Sequence, residues 1–283
     1  MPTLRALTED ELPIAAELFL TAVNEMMSRF GLPAVTVPLQ AQIEAYRQVH
    51  RTGIFQVAEE GGQIGAICCA IQREDQWFLS GFWGRPGQTQ QGLGGPLLRQ
   101  VYELAAARGA RRFFTWSSAD PTAMASYLRL GLWPAGPILT FIGPKPPPEV
   151  SPLAAHPLDP AAIAELDREV RGVRRPEDHR YLLEHGQGRI FERDGRVVGY
   201  GYAQGNLLGP IAWARDEDAV SVLTATAGLA PGPELRIAIP SQNRAALAFV
   251  MDRRWRLFWF AHLMQSEPFG ELSRYVPSGP LLF

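Results

Sequence analysis

The first apolar positions to show a helical period, Leu12, Ile14, Ala15, Leu18, Phe19, Ala22, Val23 and Met26, recur at the spacing of one helix face. Thr8-Glu9-Asp10-Glu11 before them has the capping-box spacing, so a helix starts there and is expected to end before Gly31. A second helical stretch covers about 39–49. The period then shortens. Ile54-Phe55-Gln56-Val57-Ala58 and Ile64-Gly65-Ala66-Ile67-Cys68-Cys69-Ala70 are apolar runs around Glu60-Gly61-Gly62, which predicts a hairpin. Trp77 to Trp83 reads as a third strand, closed by Gly84-Arg85-Pro86-Gly87. Pro96 to Arg108 returns to helical spacing, with Leu97, Leu98, Val101, Leu104 and Ala105 on one face and Gly109 as the cap. A strand at Arg112 to Trp116, a helix at Pro121 to Leu130 capped by Asp120, and a strand at Ile138 to Ile142 complete the first half.

Gly143-Pro144-Lys145-Pro146-Pro147-Pro148-Glu149 interrupts this pattern, because consecutive prolines favour an extended chain that neither a helix nor a sheet interior absorbs. The expected organisation is an N-terminal domain over 1–143, a Pro-rich linker over 144–150 and a C-terminal domain over 151–283. Behind the linker the order repeats. Helical stretches at Pro160 to Val170 and near Tyr181-Leu182-Leu183 precede a hairpin, Arg189-Ile190-Phe191 and Val197-Val198-Gly199-Tyr200, and a buried strand, Leu235 to Ile239.

Spacing tests the repeat. Glu60 lies five residues before Gly65, and Asp194 five before Gly199. Asp120, Ala123, Tyr127, Gly131 and Leu132 stand at the same relative offsets as Asn243, Ala246, Val250, Arg254 and Trp255. Two matched registers predict a duplicated architecture. The interval from Gly65 to Asp120 is 55 residues, whereas that from Gly199 to Asn243 is 44. The second copy is therefore shorter in the middle.

In the first half that middle contains Thr89-Gln90-Gln91-Gly92-Leu93-Gly94-Gly95, which joins the third strand to the following helix. Three glycines in four positions free the backbone to curl, so that successive N–H groups converge on an anion at the positive end of the helix. Pro96 has no N–H, so such a cradle stops at Gly95. A glycine turn of this kind also serves plain packing. The corresponding stretch of the second half, Gly209 to Asp218, has no glycine cluster and places Asp216, Glu217 and Asp218 beside a helix start, where they would repel a pyrophosphate. A dinucleotide-binding reading fails because no βαβ unit precedes the turn, and a Walker-type loop fails for want of Gly-Lys-Ser/Thr.

Composition narrows the function classes. With 283 residues, 46% of them hydrophobic, and a formal net charge of −2, the chain is expected to be globular, with no general attraction to nucleic acid or to an anionic membrane. No stretch reaches the roughly 20 apolar residues of a membrane span, and Met1-Pro2-Thr3-Leu4-Arg5 lacks a signal core; a cytoplasmic location is expected. Cys68 and Cys69 are neighbours on a strand, point to opposite faces and are expected in the core. The five histidines show no metal-ligand spacing, so no metal is expected.

The strand ending in Gly84-Arg85-Pro86, the turn Gly92-Leu93-Gly94 with its helix, the second strand, and Asp120…Ala123…Tyr127…Gly131-Leu132 together resemble the acyl-CoA-dependent N-acetyltransferases of the GNAT superfamily. The resemblance covers about residues 1–142, and the second half looks like a degenerate copy. It implies two tandem α/β domains, each a mixed, mostly antiparallel sheet with helices on both faces. It also implies acetyl-CoA as cosubstrate. Thr89, Gln90, Gln91, Gly92, Leu93, Gly94 and Gly95 would hold the pyrophosphate, with Thr89 standing where Gln or Arg is usual. Phe82, Trp83 and Gly84 would offer backbone partners to the pantetheine arm, which pairs like an added strand.

The same resemblance places Tyr127 as the general acid for the departing thiolate, a role that suits a phenol protonated at neutral pH. An aromatic on an amphipathic helix equally suits the core. Val250 replaces it in the second copy and cannot donate a proton. No base stands out: Glu25, Glu74 and Asp75 read first as surface acids. Asp178-His179-Arg180 reads as a charged loop or as the lining of a substrate pocket. The implied reaction is acetyl transfer to a primary amine of a small molecule or peptide. The alternative is a non-catalytic acyl-CoA-binding sensor.

Overall fold

The computed structural model describes residues 2–87, 92–147 and 152–283. Contacts divide the chain into two compact units, residues 1–113 and 114–283.

The first unit contains β1 (Thr3–Ala6), α1 (Leu12–Arg29), α2 (Leu39–Thr52), β2 (Gly53–Glu60), β3 (Gln63–Arg73), β4 (Gln76–Gly84) and α3 (Gly94–Ala107). Its four strands form an antiparallel sheet in the order β1-β2-β3-β4. The capping box is present on a short turn, Glu9–Glu11, that leads into α1. The Glu11 carboxylate accepts from the Thr8 N–H at 3.0 Å and pairs with Arg5, which also bridges to Glu59 on β2. The start of α1 is thereby pinned to the first two strands. Arg5 hydrogen bonds hold the Glu11 carboxyl down to about 2. Cys68 and Cys69 are both fully buried, and burial pushes both thiols up.

Adjacent residues of β4 serve the two faces of this sheet. Phe82 lies under the start of α3, and the Trp83 indole meets Phe19 of α1 edge-on at 5.2 Å. Tyr46 of α2 packs edge-on against Phe55 of β2 at 5.1 Å. Helices therefore cover both faces, because the apolar side of each strand alternation finds an amphipathic helix to bury against.

β5 (Arg112–Ser117), whose first two residues belong to the first unit, leads into α4 (Pro121–Arg129) and β6 (Trp133–Pro144). After Pro144 come β7 (Ala154–Pro157), α5 (Ala164–Arg171), α6 (Pro176–His185), β8 (Gln187–Arg193), β9 (Arg196–Gln204), β10 (Leu207–Trp213), α7 (Ala219–Leu229), β11 (Glu234–Pro240), α8 (Arg244–Asp252), β12 (Arg256–Gln265) and β13 (Tyr275–Val276). The strands of the second unit run in the order β5-β12-β6-β11-β10-β9-β8-β7, with β13 attached to β10. Tyr200 and Tyr202 of β9 face α5 and α6, while Gly199 and Gly201 lie beneath Val222 and Thr226 of α7. Among the described residues no helix is long and apolar enough to cross a membrane.

The order of the strands shows an exchange. β5 and β6 are joined by α4, and β11 and β12 by α8, yet neither pair closes on itself. β12 lies between β5 and β6, pairing Leu263 with Trp116 on one side and Phe260 with Leu139 on the other. β6 in turn pairs with β11 over seven positions, from Glu234↔Pro144 to Pro240↔Ile138. Phe141 of β6 consequently packs into the same core as Leu235, Ile237, Phe249 and Trp255. This accounts for a contact boundary at Phe113/Phe114, upstream of the expected linker. Residues 148–150 of that linker lie outside the described residues. Lys145 is anchored, its N–H bonding to the Pro233 carbonyl at 2.7 Å and its Nζ to the Ala230 carbonyl at 2.6 Å.

Candidate functional site

β4 carries a bulge at Ser80, where pairing to β3 steps from Ala70↔Leu79 to Cys69↔Gly81. Beyond it Phe82, Trp83 and Gly84 pair with Cys68, Ile67 and Ala66. The chain then turns through Arg85, whose N–H bonds to the Gly65 carbonyl at 2.7 Å and whose guanidinium bonds to the Ile64 carbonyl at 3.2 Å. That cation is engaged by the start of β3. Thr89, Gln90 and Gln91 lie outside the described residues.

Gly92 has φ +75°, a left-handed conformation that favours glycine. Leu93 is the N-cap of α3 and provides no side-chain hydrogen bond, while Gly94 and Gly95 open the helix. Their N–H groups have no carbonyl four residues back within the helix, and Pro96 has no N–H at all. A Cβ at Gly94 would lie 2.9 Å from Phe82 Cζ, whereas one at Gly95 would meet nothing within 4 Å. Phe82 and Gly94, both expected site residues, are thus brought together. Trp83 points to the other face of the sheet. A helix start with no side-chain cap from Leu93, positive by its dipole and bare of side chains at 92, 94 and 95, fits an anionic group such as a pyrophosphate.

In the second unit, Tyr127 lies in the last turn of α4. Asp120 Oδ1 accepts from the N–H groups of Thr122 at 2.9 Å and Ala123 at 3.3 Å, so the expected cap is formed. Gly131, at φ +79°, follows the end of the helix. Tyr127 is only 6% exposed and is the one buried residue of this helix. Its counterpart Val250 on α8 is fully buried in the apolar core, and Asn243 caps α8 through Ala246 at 2.9 Å. The matched offsets read from the sequence thus fall on two equivalent helices.

The acids considered as bases have other engagements or lie outside the core. Asp75 forms an ion pair with Arg112 at 2.5 Å, and its carbonyl accepts from the N–H groups of Arg111 and Arg112. Glu74 occupies the β3–β4 turn at φ 49°, and Glu25 is exposed on α1. Asp178-His179-Arg180 is not a loop: it belongs to the first half of α6, with Asp178 and His179 fully buried. A proline at the first helical position and acids in the first turn are helix-start signals that the local charge concealed.

Sequence reasoning also missed a buried polar network around His179. Asp167 accepts from Arg175 Nε at 3.0 Å and from Arg175 Nη2 at 3.1 Å, and from the Tyr200 hydroxyl. His179 joins Asp167 at 3.1 Å to the Tyr202 hydroxyl at 2.8 Å. Burial opposes the charge of Asp167, but the Arg175 guanidinium and His179 outweigh it and hold the carboxyl well below its ordinary range. Burial and the neighbouring Arg175 bring Arg171 down to about 10. In the first unit, the buried Tyr46 hydroxyl and Ser80 Oγ find no hydrogen-bond partner among the described residues.

The model of the acetyltransferase (GNAT) family matches residues 20–132, and that of a second acetyltransferase (GNAT) domain matches residues 163–264. No curated protein sequence matches the chain. Among solved structures, a candidate acetyltransferase from Pyrococcus horikoshii superposes with a TM-score of 0.83 at 16% identity, over 100% of this chain and 96% of its own. A GCN5-related N-acetyltransferase from Sphaerobacter thermophilus gives 0.63 at 15% identity, over 96% and 98%. A tandem GNAT protein from the clavulanic acid biosynthesis pathway gives 0.62 at 14%, over 95% and 99%. These are likenesses of fold. The two family matches, each containing one copy of the helix-cap register at Asp120 or Asn243, place the chain in the GNAT acetyltransferase family, with two such domains in tandem.

Proposed function

We propose that the chain is an acetyl-CoA-dependent N-acetyltransferase acting on a primary amine, with sequence repeats over 1–143 and 151–283 and a working site in the first. The observation that carries this reading is the glycine-opened start of α3, with no side-chain cap from Leu93 and with Gly94 closed onto Phe82, inside the region matched by the family. Acetyl-CoA supplies an acyl group activated as a thioester. The N–H groups of Gly92 to Gly95 hold its pyrophosphate, extended toward Thr89, Gln90 and Gln91, and the backbone of Phe82, Trp83 and Gly84 orients its arm. A phenol is ordinarily protonated at neutral pH, so Tyr127 would be the residue to give a proton to the departing thiolate. The neutral amine attacks the thioester carbonyl directly, without a covalent enzyme intermediate. The C–N bond forms as the C–S bond breaks, and the nitrogen gives up its extra proton to water while the thiolate takes one from Tyr127.

Calorimetric titration with acetyl-CoA, combined with thiol release over a panel of amines, tests this. Saturable binding with amine-stimulated release is expected. Tight binding without release across a broad panel would replace the enzyme by a sensor, and no binding would refute both.

A further inference from the structure

β10 and β11 run parallel but pair over only two positions, Leu207↔Arg236 and Leu208↔Ile237. Beyond them β11 continues along β6 to Pro240, while the register of β10 on β9 shifts between Leu208 and Ile211. Two parallel strands that part in this way leave a row of backbone N–H and C=O groups facing a gap, and each buried group needs a partner. Here the gap is filled from within the chain. β13 lies antiparallel to β10, with Val276 opposite Ile211 and Tyr275 opposite Ala212, and both inserted residues are fully buried.

The fit is close. A Cβ at Gly209 would fall 2.2 Å from the Pro277 carbonyl oxygen, so the inserted backbone rests directly on that glycine. Asn243 uses both ends of its amide: Oδ1 caps α8, and Nδ2 donates to the Tyr275 carbonyl at 3.0 Å. Asp120, at the same offset in the first repeat, has no donor for such a bond. The Tyr275 hydroxyl donates to the Phe283 carbonyl at 2.6 Å, and Arg175 Nη1 donates to the same oxygen at 2.7 Å. Arg175 lies 5.3 Å over the Tyr275 ring and Arg171 5.0 Å over that of Phe283. The buried ionic network of this unit therefore grips residues 275–283.

The start of α7 is unfavourable to an anion as well. Asp218, the N-cap residue of α7, is buried and paired with Arg193; its side chain makes no cap hydrogen bond, but it places a negative charge beside the positive end of that helix. We propose that residues 275–277 are a built-in occupant of the second repeat's cofactor cleft. They make from within the chain the strand-like hydrogen bonds that an acyl-CoA arm would make, so this domain takes up no acyl-CoA. The stoichiometry arm of the test rests on the proposed function; the exchange arm does not.

The full chain is titrated with acetyl-CoA beside its Gly94→Glu variant, and both are followed by amide hydrogen exchange together with Asn243→Asp. Gly94→Glu is expected to bind no acetyl-CoA; one saturable equivalent per chain in that variant overturns the inference. In the wild type the amides of Tyr275 and Val276 should exchange at least a hundredfold more slowly than those of the exposed turn at Asp194 and Gly195. Asn243→Asp retains the helix cap but loses the donor, and should speed exchange at 275–276 at least tenfold while leaving α8 protected. Turn-like exchange at 275–276 in the wild type overturns the inference whatever the variants do. If the wild type binds no acetyl-CoA, the proposed function falls and the exchange rates alone decide the inference.

Discussion

Replacing Gly94 by Ala adds one methyl group where the nearest atom, Phe82 Cζ, stands 2.9 Å away and the next, Cε2, 3.4 Å. Ordinary carbon contacts begin near 3.5 Å, so the overlap is roughly half an ångström, and the half-buried Phe82 ring has to tilt or α3 has to lift. Overpacking of this kind costs about 1–3 kcal/mol. Alanine in a helix gains at most about 1 kcal/mol over glycine, and less in the first turn. The net expectation is a loss of about 1 kcal/mol. Gly95→Ala meets nothing within 4 Å and should be neutral or slightly stabilising. Urea denaturation of the two variants separates them. Trimming the ring with Phe82→Ala should turn Gly94→Ala from unfavourable to neutral, a coupling of about 1 kcal/mol in a double-mutant cycle. If Gly94→Ala and Gly95→Ala behave alike in the parent, with no coupling to Phe82, the close approach of α3 to β4 is wrong, and with it the shape of the cradle.

Tyr127→Phe should lower kcat while leaving acetyl-CoA affinity nearly unchanged; unaltered turnover would make the residue part of the core only. Asp167→Asn should cost about 3–5 kcal/mol in a denaturation assay at neutral pH, because Arg175 would be left buried without its counter-charge. The Asp167 carboxyl is depressed in the folded state, so its contribution is present above the ordinary carboxylate value and lost as the pH falls below about 4. The acid limb of the stability profile should therefore flatten in Asp167→Asn, and an unchanged limb would remove Asp167 from it. Tyr46→Phe deletes a buried hydroxyl that has no partner among the described residues, and should raise stability by up to about 1 kcal/mol. A loss of that size in thermal unfolding would mean that the hydroxyl is satisfied.

Most elements of the first unit were readable because they announce themselves locally, whereas the four-residue β1 (Thr3–Ala6) is too short to show a period. α1 has its capping box, α3 its apolar face at Leu97, Leu98 and Val101, and the β2–β3 hairpin its glycine pair. The start of α7 was expected only by its correspondence to the first repeat, and its extent was not readable: Ala219 to Leu229 is apolar nearly all round, so it has no period. β12 was missed because a bulge between Leu257 and Trp259 breaks the alternation that marks a strand. The helix start behind the glycine turn was legible as a candidate anion site, since orphaned N–H groups follow from helix geometry alone. The polar network was not, because Asp167, His179, Tyr200 and Tyr275 lie on separate elements and each looks like an ordinary surface residue in its own window. Nor does anything in β5 or β6 name the neighbour of either, since the side-chain pattern of a strand specifies which face is buried and not which strand lies beside it.

The position of β12 between β5 and β6 bears on how such a chain can be taken apart. A cut in the Pro-rich connection would leave the first fragment with two strands whose central neighbour has gone, and the second with β11 facing an empty slot where β6 belongs. The connection looks like a seam, but each half carries a structural part of the other. Two fragments made separately should therefore be poor proteins alone and should reassemble when mixed. By the same logic, the second repeat can lose its chemistry without being dispensable, since it still supplies a strand that the first needs.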